Sequence, residues 1–107
     1  MLRLYKDEWP GNKWPAIEIY PVDKAYFSAI LTYLSQMYAF EWPQIVDSSD
    51  GYTTFFMIND SVALMLLDTW TFSIAFGLET VRDHIFADLS ALPPDYFAVY
   101  RSKASER

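Results

Sequence analysis

Few residues in this chain have the type and spacing to do chemistry. His84 is the only histidine, and Asp88 follows it four positions later. On a helix that spacing stacks the pair one turn apart, where a carboxylate can orient an imidazole as a general base. It equally describes a surface helix pair worth about 0.2–0.5 kcal/mol, and the local pattern favours that plainer reading. A nucleophilic site would need a serine or threonine beside the imidazole with a third orienting group, and no strained Gly-x-Ser-x-Gly turn is present. The run Asp47, Ser48, Ser49, Asp50, Gly51 lacks the alternating oxygen ligands and terminal glutamate of a calcium loop, so it reads as a turn. Three glycines in the whole chain leave no phosphate-cradling loop, and the absence of cysteine removes thiolate metal sites and disulfides. Paired carboxylates working as acid and base would need a cleft that sequence does not reveal. No catalytic residue, metal or cofactor is therefore expected, and the chain reads as a binding protein rather than an enzyme.

The elements that would position any site follow from hydrophobic period. Residues 2–5 and 16–20 are short runs of strand composition, separated by a loop over 6–15 that holds Trp9-Pro10, Gly11 and Trp14-Pro15. Asp23 can cap a helix running to about Tyr38, with Phe27, Ile30, Leu31, Leu34 and Met37 on one face and Lys24, Ser28, Thr32 and Ser35 on the wet side. Tyr26, Tyr33 and Tyr38 border the apolar face, as buried rings with exposed hydroxyls. After Trp42-Pro43 the period changes to two. Ile45 and Val46 form a short run, and then 52–58, 62–67 and 70–76 make an antiparallel meander joined by tight turns. Residues 62–67 are apolar on both faces, which predicts a central strand. In 70–76, Trp70, Phe72, Ile74 and Phe76 alternate with Thr71, Ser73 and Ala75, which predicts a half-buried strand with Trp70 in the core.

Thr80 and Asp83 resemble a capping box opening a second helix, with Val81, Ile85, Phe86, Leu89 and Leu92 on its stripe and Pro93-Pro94 ending it. Residues 95–100 read as a last strand or a helical turn, and 101–107 as a frayed tail. The expected fold is a single α+β domain over 1–107: an antiparallel meander sheet of about four or five strands packed with two amphipathic helices. With 52% apolar and 19% aromatic residues the chain has the material for one core. Its longest uncharged stretch, 25–40, is interrupted by Ser28, Thr32, Ser35 and Gln36 and falls short of the roughly 20 apolar residues of a membrane span. Residues 1–10 carry Arg3, Lys6, Asp7 and Glu8 and so no secretory core. A cytoplasmic protein with no membrane contact is expected.

Charge is the strongest signal. No lysine or arginine stands between Lys24 and Arg82, while Glu41, Asp47, Asp50, Asp60, Asp68 and Glu79 fall in that stretch, within a net charge of −6. A field of one sign attracts partners of the other. Direct nucleic-acid binding needs clustered bases, and the only cluster lies in the short tail. Three of the four tryptophans precede proline, at Trp9, Trp14 and Trp42, which places them in stiff extended connections. Asp7 and Glu8 precede Trp9, and Glu41 precedes Trp42. An aromatic anchor rimmed by acids suits a lysine- and arginine-rich surface. The expected partner-binding residues are accordingly Asp7, Glu8, Trp9, Trp14, Glu41, Trp42, Asp47, Asp50, Asp60 and Asp68. The competing readings are that each tryptophan plugs an open end of the core and that the acids are a solvated surface.

In overall character the chain resembles the immunity proteins of bacterial contact-dependent inhibition and related polymorphic toxin systems. The base-free stretch 25–81, the meander 52–76 and the acid-aromatic pairs Glu8-Trp9 and Glu41-Trp42 carry the likeness. The resemblance implies a small α+β domain that neutralises a basic, nuclease-type toxin by covering its active site with carboxylates. It transfers no individual functional residue. Two alternatives stay open: a phage-type acidic inhibitor or nucleic-acid mimic, and a small ligand-binding or oligomeric accessory domain whose aromatics line a pocket or an interface.

Overall fold

Alternation in the strands and a 3.6-residue period in the helices resolve into an α+β fold. The computed structural model describes residues 2–97. Six strands and two helices follow in the order β1 (Arg3–Glu8), β2 (Pro15–Tyr20), α1 (Lys24–Met37), β3 (Ile45–Ser48), β4 (Gly51–Ile58), β5 (Ser61–Leu67), β6 (Phe72–Phe76) and α2 (Glu79–Ser90). The strands form one antiparallel sheet in the order β1-β2-β6-β5-β4-β3. The strand count exceeds the expected four or five because the Ile45-Val46 run is a full strand that pairs along β4; the first strand is also longer than expected and extends to Glu8. Of the segment read as 95–100, only the turn ending at Phe97 is described; 98–100 and the tail 101–107 lie outside the described residues.

α1 carries the chain from β2, second in the sheet, to β3 at the far edge, passing over β6, β5 and β4. Four strand spacings are about 19 Å, and a helix of 14 residues rises about 21 Å, so its length suits the crossing. Asp23 caps it as expected, accepting from the Ala25 amide at 2.8 Å. Tyr26, Phe27, Ala29, Ile30, Leu31, Tyr33 and Leu34 are buried, whereas Met37, expected on the same face, is exposed at the last turn. Phe27 meets Tyr52 and Phe72 with ring centroids 6.1 and 5.9 Å apart. Each fully buried Phe, Ile or Leu contributes about 1.5–3 kcal/mol of transfer free energy.

α2 buries Val81, Ile85 and Leu89 over the β1–β2–β6 side. Its predicted capping box does not form. The N-cap is Leu78, which has no side-chain oxygen, and Asp83 instead receives Arg82 and Lys6 at 2.7 and 3.1 Å. Arg82 also donates to the Asp7 and Ala16 carbonyls, so this mostly buried guanidinium pins α2 to the first hairpin.

Both helices lie on one sheet face. On the other, alternation and register align Asp7 of β1, Ala16 and Glu18 of β2, Ser73 and Ala75 of β6, Val62, Leu64 and Leu66 of β5, Phe55 and Met57 of β4, and Val46 of β3. No helix among the described residues covers this second face.

Candidate protein-binding surface

The catalytic candidates are drawn apart by packing. His84 is exposed, and its ring meets that of Tyr38 in a T-shaped arrangement with centroids 6.1 Å apart. Asp88 does not serve it. The two carboxylate oxygens accept from the hydroxyls of Tyr33 and Tyr38, each at 2.8 Å, which fastens α2 to α1. The tyrosine hydroxyls expected to face water are thus engaged. Burial, and the hydrogen bond it donates to the Asp88 carboxylate, push the Tyr33 hydroxyl up to about 12, and the same two causes raise Tyr38 further. Among the described residues no group of three or more histidines, cysteines or carboxylates is arranged to hold a metal.

The expected partner-binding residues divide between the two ends of the sheet and do not form one patch. β3 ends and β4 begins beside the β5–β6 turn. A Cβ at Gly51 would collide with the Leu67 carbonyl oxygen, so only glycine lets the two turns meet, with Gly51 against Asp68. Asp47 faces the helix side by register with Tyr52, close to Lys24, whose ammonium lies 4.7 Å from the centre of the Tyr52 ring. Asp60 stands at the opposite end in a two-residue hairpin, where Asn59 and Asp60 both take positive φ, 48° and 62°, as a type I′ turn requires. Asp68 accepts from the Trp70 and Thr71 amides at 2.8 and 2.7 Å. Asp60 and Asp68 therefore each have a local structural duty beside any role in binding. Glu8 is exposed on β1, and Glu41 and Trp42 are exposed in the α1–β3 connection.

The tryptophans reverse their expected order. Trp9 is half-buried: its indole Nε1 donates to Ser73 Oγ at 2.9 Å and draws the 9–14 loop over the open face of β6. That explains why all five residues of β6 are buried, although a half-buried strand was expected. Trp14 is also half-buried. Trp70, expected in the core, lies in the turn before β6 and is 84% exposed. The strand begins at Phe72 because the Asp68 carboxylate bends the preceding residues into a turn.

Trp9 covers only part of the second face. Farther along, Val46, Phe55 and Met57 are each more than half exposed, and Val62, Leu64 and Leu66 half-buried. Sequence reading passed over these six because a run apolar on both sides, such as 55–58, has the composition of a strand buried on both faces. On the same face but across β6 from this patch, Glu18 and Asp7 lie side by side. Burial, the adjacent Asp7 charge and a hydrogen bond shared with Asp7 raise the Glu18 carboxyl above its ordinary value, a rise partly offset by the Ser73 hydroxyl. Among the described residues neither carboxyl is in an ion pair, since Lys6 and Arg82 are committed to Asp83.

The molecule belongs to the class of α+β domains with a six-stranded antiparallel sheet that carries both helices on one face and an exposed apolar patch on the other. Comparison with protein-family models, with curated proteins and with solved structures finds no match.

Proposed function

We propose that this protein is an inhibitory binding partner of the immunity type, which holds a basic toxin domain, a nuclease in the simplest case, and covers its active site with an acidic surface. The supporting observation is where the base-free stretch goes. Residues 25–81 supply α1 after its first residue and the four adjacent strands β6-β5-β4-β3, so an asymmetry along the sequence becomes a contiguous acidic part of the molecule, bordered by Lys24 at the head of α1 against Tyr52. Such a field speeds encounter with a basic partner and repels nucleic acid directly. Carboxylates at the rim set encounter rate and salt dependence, while affinity comes from a few desolvated anchors. No described helix is long and apolar enough to cross a membrane, and the proposed site of action is the cytoplasm, where an incoming toxin would be met.

The test is co-purification of the tagged protein from its native cells, with low- and then high-salt washes. A basic toxin fragment retained in stoichiometric amount at low salt, and lost when Asp7, Glu8, Glu41, Asp47 and Asp50 are neutralised, supports the reading. Its toxicity should be relieved by co-expression of the wild-type chain. Recovery of a small molecule or of self-associated protein alone refutes it. The exposed apolar face favours one second reading, an oligomeric accessory domain, whose signature is a mass that rises with concentration.

A further inference from the structure

The uncovered face of β3–β4–β5 has no counterpart within the described residues. Val46, Phe55 and Met57, at 58%, 59% and 57% exposure, lie on it in neighbouring register with Val62, Leu64 and Leu66. Single exposed apolar residues are ordinary, but a contiguous group on one flat sheet face marks a contact surface. Its border toward β2 and β1 is acidic. Asp68 follows β5 on this face, and Glu18 feels its charge. Beyond it come Glu18 and Asp7, two carboxyls held together and in no ion pair among the described residues. Two like charges so close favour the arrival of an opposite charge.

Taking the basic-partner reading as its premise, we infer that this sheet face is the docking surface, and that its occupant presents an apolar ridge over Phe55, Met57 and Leu64 flanked by a lysine or arginine that enters between Asp7 and Glu18. Apolar centre and charged rim together match the anatomy of specific interfaces. A second copy of this chain fits less well, because it would bring another Asp7–Glu18 pair to face the first. Arg3, the base on this face among the described strands, sits at the far edge against Tyr20. An anionic lipid or nucleic-acid surface meets the same repulsion.

The probe is a strand-forming peptide of alternating leucine and lysine, titrated into the isotope-labelled full chain and followed by amide chemical shifts. Peptides of alternating leucine and glutamate and of alternating serine and lysine serve as controls. The inference expects shifts concentrated on Val46, Phe55, Met57, Leu64 and Glu18 with the leucine–lysine peptide. It expects binding at least tenfold weaker for each control, for Phe55→Ser and for Glu18→Gln. Met57→Ser is a second apolar variant, and both serine substitutions replace exposed side chains, so circular dichroism should find them folded. Shifts confined to the turns at Asp50 and Asp60 would overturn the face while leaving the basic-partner reading intact. Equal response to the leucine–glutamate peptide, or no response to any, would overturn both. A dimer in sedimentation that dissociates with Phe55→Ser would assign the face to a second copy and overturn the inference.

Discussion

Asp88 illustrates how little a side chain's role follows from its immediate neighbours. Its position four residues after His84 was legible, but the residues that use it, Tyr33 on the other helix and Tyr38 at that helix's C-cap, lie more than 45 positions earlier. Two hydroxyls donating to one ionised, partly buried carboxylate are charge-assisted bonds, and removing the acceptor leaves both donors seeking water. Asp88→Ala is therefore expected to destabilise the fold by about 2–3 kcal/mol, while His84→Ala, at an exposed position, changes it by less than about 0.5 kcal/mol. Urea denaturation of both variants measures the difference, and a larger loss for His84 would restore it as the working member of the pair. The same contact has a pH signature. Because the folded state holds the Tyr33 proton up to about 12, against 10.0 for a free phenol, its stabilisation is complete below the unfolded value and is lost as pH rises through the folded one. Ultraviolet titration should accordingly find Tyr33 and Tyr38 ionising after the exposed tyrosines, with stability falling in that window. Asp88→Asn should bring both ionisations to lower pH.

Among the elements, the helices and the central strand were the most legible because their hydrophobic period was clear, with a cap in agreement for α1. Asp23, the Phe27–Leu34 stripe and the Val81–Leu89 stripe all fall where spacing put them. The misread elements were those in which one local signal competed with another. Thr80 and Asp83 have capping-box spacing, yet Arg82 and Lys6 claim Asp83, so the helix opens at Leu78 without a side-chain cap. Trp70 continues the alternation of β6, yet Asp68 turns the backbone before it. Gly51 shows what only the sheet reveals. The sequence Asp-Gly marked a turn, whereas the actual constraint is the carbonyl of Leu67 on a neighbouring strand, occupying the place of a Cβ. Gly51→Ala must push the β3–β4 and β5–β6 turns apart, and overpacking of this kind costs about 1–3 kcal/mol. Chemical denaturation should show that loss, and hydrogen exchange should show it first in β3, an edge strand of 4 residues held by β4 alone. A neutral Gly51→Ala would mean that the two turns do not in fact pack.

For the molecule as a whole, the composition of a core did not say which of its apolar residues the core would use. A chain that crosses from β2 to β3 with one helix, and places its second helix over β1, β2 and β6, has no further element among the described residues for the other sheet face. The Trp9 loop reaches only β6. The base-free stretch was legible; its division into an apolar patch and separate acidic turns was not, because strand order decides it. Glu18 is where this arrangement becomes measurable. Its carboxyl is raised by burial and by Asp7, so between its unfolded and folded pKa values the native state binds more protons than the unfolded chain, and stability falls as pH rises through that window. Asp83 has the opposite sign. Hydrogen bonds from Arg82 and Lys6 lower it, so its contribution is present above the ordinary carboxylate value and lost as pH falls through its folded one. Glu18→Gln removes only the first of these terms. Relative to wild type, the variant should gain stability as pH rises through the window between the unfolded and folded Glu18 values and lose that advantage again in acid. Denaturant midpoints at several pH values measure this, with Asp83→Asn as the counterpart that is least stable relative to wild type at neutral pH. If Glu18→Gln is destabilising at neutral pH, Glu18 is held by its bond to Ser73 as a structural group, and the carboxyl pair offers no opening for a cation. If it is stabilising there and also weakens binding of the leucine–lysine peptide, the pair costs the free protein stability that a basic partner restores.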